Sequence, residues 1–145
     1  MSIFNDEEQK RISDAIAGAE KCTSGEIRVS VEKTCSDDVL DRAAKYFYQL
    51  DMHKTKLRNG VLIYVAMVDR KFAIIGDAGI NKVVSEDFWD CTKEDMLAHF
   101  KTGDIIEGII TGVTKAGTQL GKYFPHDLDK DTDELSNDVA FMDGN

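Results

Sequence analysis

The chain has 145 residues, of which 42% are hydrophobic and 31% charged, and its formal net charge at pH 7 is −9. This size and balance predict a globular domain that folds without a disulfide or a structural metal ion. The acidic balance argues against a nucleic-acid partner, which needs a concentrated basic surface. The longest apolar run, residues 61–68, is far shorter than the ~20 residues needed to cross a bilayer.

The two ends of the chain and its cysteines indicate a cytoplasmic protein with an acidic tail. The N-terminal stretch MSIFNDEEQKR is acidic where a signal peptide is basic. The three scattered cysteines fit free thiols in a reducing compartment. Residues 127–145 hold seven acids against Lys130 alone. We therefore expect a domain over residues 1–126 and a solvated acidic tail over 127–145, with Leu135 and Val139 docked on the core, in a monomeric protein.

The first half of the chain alternates between helix and strand patterns. Asn5 followed by Glu8 is a capping-box variant, and it predicts a helix that ends before the segment 23–25. Apolar and polar residues alternate over 26–32, which is typical of a half-buried strand. Ser36 is the predicted N-cap of a second amphipathic helix that extends to about residue 50. The run 61–68 is apolar throughout and predicts a central strand covered on both faces.

The second half begins with a predicted hairpin and continues as helix. Asp69 and Arg70 are placed to turn the chain into a strand over residues 72–75. Helices are predicted over roughly 86–100 and from Asp104 to about Tyr123. The last helix contains four glycines, at positions 108, 112, 117 and 121. Glycine is costly in an isolated helix, so we expect these positions to permit close packing against the sheet or a neighbouring element.

These elements predict an α/β fold, namely a three-layer α/β/α sandwich around a small mixed sheet. The strand–helix–strand unit over 26–68 should be a right-handed parallel crossover, followed by an antiparallel strand. That topology collects three loops at one edge of the sheet, at residues 23–26, 58–60 and 76–79. Each loop combines glycine with an oxygen-bearing side chain, respectively Glu26, Asn59 and Asp77.

Two interpretations of these loops are open. Carboxylate and amide oxygens next to glycine are what Ca²⁺ or Mg²⁺ prefers. Glycine, Asn and Asp also dominate turns for conformational reasons alone. The edge lies at the amino ends of the parallel strands, opposite the usual ligand edge of open α/β sheets, and this counts against the metal interpretation. Arg58 could hold a phosphate oxygen there or simply pair with a nearby acid.

Other motifs lack the context that their chemistry needs. Residues 22–28 match the cysteine-phosphatase pattern C-x-x-G-x-x-R, but the predicted order is helix to strand instead of strand to helix. Residues 127–138 resemble an EF-hand loop, but Thr132 replaces the glycine and Asp138 replaces the final glutamate. Neither pattern supports a specific site.

The segments TSGEIRV (23–29), RNGVLIYVA (58–66) and FAIIGDAGI (72–80), together with Trp89 and the final FP…DELSNDV (124–139), resemble the TPM domain family. That family is named after a thylakoid-lumen protein, a photosystem II repair protein and a modulator of acetylcholine receptors. The resemblance implies an α/β/α sandwich, the binding of a divalent cation, calcium in particular, and an acid-phosphatase activity. Carried onto this sequence, it implies metal or substrate positions at Glu26, Asn59 and Asp77, with Asp104 as a weaker fourth candidate.

The leading hypothesis is therefore a TPM domain that binds Ca²⁺, or alternatively Mg²⁺, at one edge of its sheet. The enzymatic alternative is a metal-dependent acid phosphatase acting on small phosphate esters. The third hypothesis is a non-catalytic module that contacts another protein.

Overall fold

The computed structural model describes residues 3–126 and 136–143 and has the predicted three layers around a mixed sheet. The helices are α1 (Asp6–Glu20), α2 (Val39–Gln49), α3 (Ala78–Asn81), α4 (Asp90–Lys101) and α5 (Ile105–Gly121), with a 3₁₀ turn at Met52–Lys54. The strands are β1 (Glu26–Glu32), β2 (Gly60–Ala66), β3 (Lys71–Gly76) and β4 (Ala140–Phe141). None of the helices in the described ranges has the length and apolarity that a membrane span requires.

The sheet has the strand order β3-β2-β1-β4. Strands β1 and β2 are parallel, and β3 runs antiparallel to β2, so the predicted crossover and hairpin are confirmed. Glu26 lies opposite Gly60, and Val61 lies opposite Gly76. This register places the beginnings of β1 and β2 and the end of β3 at the same edge, which we call the amino edge.

Two apolar clusters fill the space between the layers. One face of the sheet, with Val29 and Ile63 at its centre, packs against α1, α4 and α5. The other face, with Leu62 and Tyr64, packs against α2. Strand β1 differs from its prediction because it is buried on both faces, including the polar side chains of Ser30 and Glu32. The α2 layer covers the side that the alternating pattern assigned to solvent.

Helix ends follow the local capping chemistry. The capping box of Asn5 and Glu8 is confirmed, with Asn5 accepting from the Glu8 backbone N–H at 2.8 Å. Helix α2 begins later than predicted, because Asp38 and not Ser36 supplies the N-cap and accepts from the backbone N–H groups of Leu40 and Asp41. Helix α4 likewise begins at Asp90, four residues after the predicted start at residue 86.

The segment after residue 126 returns to the sheet in the part that the structure describes. Strand β4 pairs in parallel with β1, with Ser30 opposite Ala140 and Val31 opposite Phe141. The Phe141 ring meets the Phe4 ring edge-on, with centroids 5.8 Å apart. The solvated tail expected over 127–145 is therefore wrong for residues 140–141, because two apolar residues suffice to add a short edge strand. Leu135 lies outside the described residues, whereas Val139 packs against the core as expected.

Candidate functional site

The three loops predicted to meet at the amino edge do meet there. The backbone N–H of Asp77 donates to the Gly60 carbonyl at 2.9 Å, and that of Gly79 donates to the Arg58 carbonyl at 2.8 Å. A Cβ atom at Gly79 would lie 2.2 Å from the Leu57 carbonyl oxygen, so this close approach of two backbones requires glycine. The side-chain amide of Asn59 reaches the Ser24 hydroxyl at 3.4 Å and joins the first loop to the second.

Asp77 is buried and forms an ion pair with Arg58. Its side chain is 5% exposed, and its two carboxylate oxygens accept from Nε and Nη2 of Arg58 at 2.7 and 2.8 Å. The hydrogen bonds and charge of Asp77 raise the pKa of the Arg58 guanidinium. The same carboxylate accepts from the Ala78 backbone N–H at 2.7 Å and caps α3. Of the two roles considered for Arg58, the structure shows the pairing with a nearby acid.

Glu26 and Asn59 are buried beside this pair, but they do not share its cavity. Their residues are 4% and 2% exposed, respectively. The Asn59 backbone N–H donates to the Thr55 hydroxyl at 3.3 Å. Asp77 and Arg58 line a pocket of about 270 Å³ together with residues of α2, and neither Glu26 nor Asn59 lines it. The loops therefore converge, while their oxygen-bearing side chains occupy different positions around the edge.

Asp104 lies at the other end of the molecule. The C-terminal end of α5 reaches the first loop, where the Phe124 carbonyl accepts from the Ser24 backbone N–H at 2.8 Å. Asp104 precedes the first residue of this 17-residue helix, which places it about 25 Å away along the axis. It is exposed, and its carboxylate accepts from the Glu107 backbone N–H at 3.3 Å as an N-cap. Asp104 cannot complete a coordination sphere with the other three candidates.

The donors at the amino edge fit a divalent cation only in part. Calcium takes six to eight oxygen ligands and is held by carboxylates that carry no other cation. Among the described residues there is no group of three or more His, Cys, Asp or Glu side chains arranged to hold a metal ion. The edge does offer two buried carboxylates and one amide, and Arg58 balances the charge of one carboxylate, Asp77. Because the Arg58 side chain is 46% exposed, it has room to leave that position.

Sequence reasoning missed a third buried acid, at the end of β1 opposite Glu26. Glu32 is 3% exposed, and its carboxylate accepts from the hydroxyls of Tyr46, at 2.6 Å, and Tyr64. Arg42 also donates to it, at 3.1 Å. Burial first, and the hydrogen bond to Glu32 second, raise the pKa of both tyrosines. The one signal in the sequence is a tyrosine inside the otherwise apolar run 61–68. Since Glu32 is closed to solvent, this cluster stabilises the packing of α2 on the sheet.

Similarity to known proteins places the chain in a family. The family model described as TPM domain matches residues 1–119. The NMR structure of the BA42 protein from the psychrophilic bacterium Bizionia argentinensis is 53% identical, with a TM-score of 0.90 over 97% of this chain and 96% of that one. No curated protein matches the chain.

Two more distant structures share the fold alone. The N-terminal domain of a P. gingivalis protein is 17% identical, with a TM-score of 0.69 over 87% of this chain and 83% of that one. The N-terminal domain of the cg2496 protein from Corynebacterium glutamicum is 10% identical, with a TM-score of 0.62 over 94% and 80% of the two chains. The match of the family model over most of the sequence is decisive: this chain belongs to the TPM domain family.

Proposed function

We propose that this TPM domain binds a divalent cation, Ca²⁺ in preference to Mg²⁺, at the amino edge of its sheet. The observation that carries the proposal is the convergence of three loops that bear the buried residues Glu26, Asn59 and Asp77. Carboxylate and amide oxygens are the ligands that these ions prefer. With few protein ligands the ion keeps several waters, and we expect a dissociation constant of about 1 mM.

Arg58 is the competitor of the ion in this proposal. Its guanidinium occupies both oxygens of Asp77, so a cation reaches that carboxylate only when Arg58 swings toward solvent. When Arg58 leaves and a metal ion binds, one cation replaces another, so the Asp77 carboxylate keeps a positively charged partner. Binding should therefore be weakened by the arginine, and removal of its charge should strengthen it.

The test is a titration of the metal-free protein with Ca²⁺ and then Mg²⁺, followed by backbone amide shifts. We expect saturable shifts confined to residues 25–26, 59–60 and 76–79. Arg58→Gln should tighten binding by roughly tenfold, because it removes the competing charge. Asp77→Asn retains a capping side chain but loses the anionic ligand, and it should weaken binding by at least about tenfold.

Asp104→Asn is the matched control, since it removes a carboxylate that lies at the far end of α5, and it should leave the affinity unchanged. Shifts restricted to residues 127–138 would move the binding to the acidic C-terminal segment and overturn the proposal. Unchanged affinity in Asp77→Asn would do the same.

The acid-phosphatase alternative is tested in the same samples with a small aryl phosphate and each metal. A phosphate held by Arg58 would have to displace Asp77 from the same guanidinium, so no contact at this edge favours that chemistry. Turnover that persists in Asp77→Asn would belong to another site.

A further inference from the structure

A second cavity lies at the opposite edge of the sheet, where β1 and β2 end. It has a volume of about 350 Å³ and opens between the β2–β3 hairpin and the facing ends of α4 and α5. This volume is at the lower end of the range for small-molecule sites. In open α/β sheets, ligands bind in the crevice outside the carboxyl ends of the parallel strands, which is the position of this cavity.

The inner wall of the cavity is apolar. The rings of Phe72 and Phe100 meet edge-on with centroids 5.0 Å apart, and Val65 lies beside them at the end of β2. Leu97 on α4 also lines the cavity, and 40% of its surface remains exposed. An apolar wall of this kind favours a ligand with a hydrocarbon or aromatic body.

The rim of the cavity is cationic in a chain whose net charge is −9. Arg70, Lys71 and Lys101 line it, and no Asp or Glu does. The Lys71 ammonium donates to the Cys35 carbonyl at 3.1 Å. The side chains of Arg70 and Lys101 form no hydrogen bond or ion pair with any residue of the described ranges 3–126 and 136–143. Two exposed cations therefore face the mouth of an apolar cavity with no anion to pair with.

The two nearest acids in the sequence are committed elsewhere. Asp69 accepts from the Cys35 backbone N–H at 2.7 Å, and Asp104 caps α5. Neither lines the cavity. Neither carboxylate therefore forms an ion pair with Arg70 or Lys101.

The backbone at Arg70 adds a second observation. Its φ is +55°, in the left-handed region that costs a residue other than glycine, Asn or Asp roughly 1 kcal/mol or more. Tight hairpin turns ordinarily place Gly or Asn at such a position. Retained strain of this kind is concentrated at sites that bind ligands. Compared with Gly or Asn, an arginine at this position lowers conformational stability, but it places a guanidinium at the rim of the cavity.

We propose that this cavity binds a small amphipathic carboxylate, such as a medium-chain fatty acid or an aryl-alkyl acid. The apolar body lies against Phe72, Phe100 and Leu97, and the carboxylate pairs with Arg70 and Lys101. Both parts are needed: the apolar wall supplies burial, and the two cations select an anion over a neutral molecule of the same shape. This site is separate from the amino edge and does not depend on a metal ion.

The test is a titration of the full chain with octanoate, followed by backbone amide shifts, beside parallel titrations with octanamide and acetate. We expect saturable octanoate shifts at Met67, Arg70, Lys101 and Gly103, with a dissociation constant of about 1 mM. Octanamide has the same tail without the charge and should bind about fivefold more weakly, and acetate should give no saturable shift at these residues.

The double variant Arg70→Asn/Lys101→Gln removes both charges and places Asn at the left-handed position, which Asn tolerates. It should weaken octanoate binding by about fivefold. The control Lys45→Gln/Lys82→Gln changes the net charge equally at two exposed positions outside the cavity and should bind as the unmodified protein does.

Equal affinity for octanoate and octanamide would overturn the proposal, as would full affinity in the Arg70/Lys101 variant. Absence of saturable shifts would also overturn it. Concentration-dependent shifts at the same amides without ligand would assign the cavity to contact with a second copy of the chain, which contradicts the proposal.

Discussion

At the scale of single residues, the most tightly constrained group is the Glu32 carboxylate. A buried carboxylate is tolerated only when its charge is paired and its oxygens accept hydrogen bonds. Arg42 supplies the charge, and the hydroxyls of Tyr46 and Tyr64 supply further donors. These three side chains come from α2 and β2, so the cluster fixes the helix over the sheet by direct contact with β1.

This arrangement predicts an asymmetry between two tyrosines. Tyr64→Phe removes a hydroxyl that is fully buried and leaves Glu32 with one donor fewer. We expect the free energy of unfolding to fall by about 1–3 kcal/mol. Tyr48→Phe is the matched control, because Tyr48 is 59% exposed and retains its ring contact with His53 as phenylalanine. Its stability should change by less than about 0.5 kcal/mol. Urea unfolding of both variants decides the matter, and equal effects would contradict the role of the cluster.

The sequence predicted which residues occupy the loops of the amino edge, but not the partner of each. Glycine with Asn or Asp marks a turn regardless of what the side chain later contacts. Asp77 acquires its ion pair from Arg58, nineteen residues earlier along the chain, and only the register of β2 and β3 brings the two together. The periodicity of apolar residues indicates which face of a helix or strand is buried. It does not indicate which residues of two different loops will be in contact.

At the scale of elements, the predictions succeeded where a segment has many periodic residues. Helices α1 and α5 and strands β1 to β3 carry long patterns and were found near their predicted bounds. Strand β4 has two residues, which is too few for a period. The helix α3 has four residues and follows a turn signal, so its first two residues were assigned to the loop 76–79. The start of α2 was predicted from Ser36 alone, whereas Asp38 supplies the N-cap, and both residue types cap helices well.

The glycines of α5 were expected to permit close packing, and this is confirmed. A Cβ atom at Gly117 would lie 2.7 Å from the Ala19 Cβ and 2.8 Å from the Ala19 carbonyl oxygen on α1. A Cβ atom at Gly112 would lie 2.5 Å from the Met96 sulfur on α4. The neighbours are helices in both cases, so α5 is the central helix of its layer.

The close contact of α1 and α5 at Gly117 predicts that two glycine-to-alanine changes have opposite effects on stability. Gly117→Ala forces α1 and α5 apart against backbone atoms, and it should lower the free energy of unfolding by about 1–3 kcal/mol. Gly18→Ala, in α1, meets nothing within 4 Å and should raise it by about 0.5–1 kcal/mol through helix propensity. Thermal and urea unfolding measure both. Stabilisation by both substitutions would show that α1 and α5 are not in close contact at Gly117.

At the scale of the whole molecule, the topology gives the domain two different edges. The amino edge carries Glu26, Asn59 and Asp77, whereas the opposite edge carries the cavity with Arg70 and Lys101 at its rim. The sequence predicted the first edge because each of its loops contains a glycine. It did not predict the second, because the cavity is lined by two segments, residues 65–72 and 97–105, that only the fold brings together. Asp104 was grouped with the amino edge because the sequence does not show that it lies at the opposite end of α5.

The stability of the whole fold should decline at alkaline pH. Burial, reinforced by hydrogen bonding to Glu32, raises the folded-state pKa of Tyr46 and Tyr64 above the value of about 10 for an unfolded chain. Above pH 10 the unfolded state releases protons that the folded state retains, so the free energy of unfolding falls as pH rises. The slope approaches about 1.4 kcal/mol per pH unit for each phenol until its folded-state pKa is reached. Below pH 10 this contribution to stability is fully present.

Urea unfolding between pH 8 and pH 11 measures the slope. The double variant Tyr46→Phe/Tyr64→Phe distinguishes two causes of alkaline destabilisation: the ionisation of these buried phenols, and repulsion within an acidic chain whose negative charge grows with pH. It is less stable at pH 8, but its stability should decline less steeply above pH 10, because neither buried phenol remains to be ionised on unfolding. Absorbance at 295 nm provides a second readout, since ionisation of Tyr46 and Tyr64 should coincide with loss of structure. An identical slope in the variant and the unmodified protein would mean that repulsion among surface charges, and not the Glu32 cluster, limits the fold at high pH.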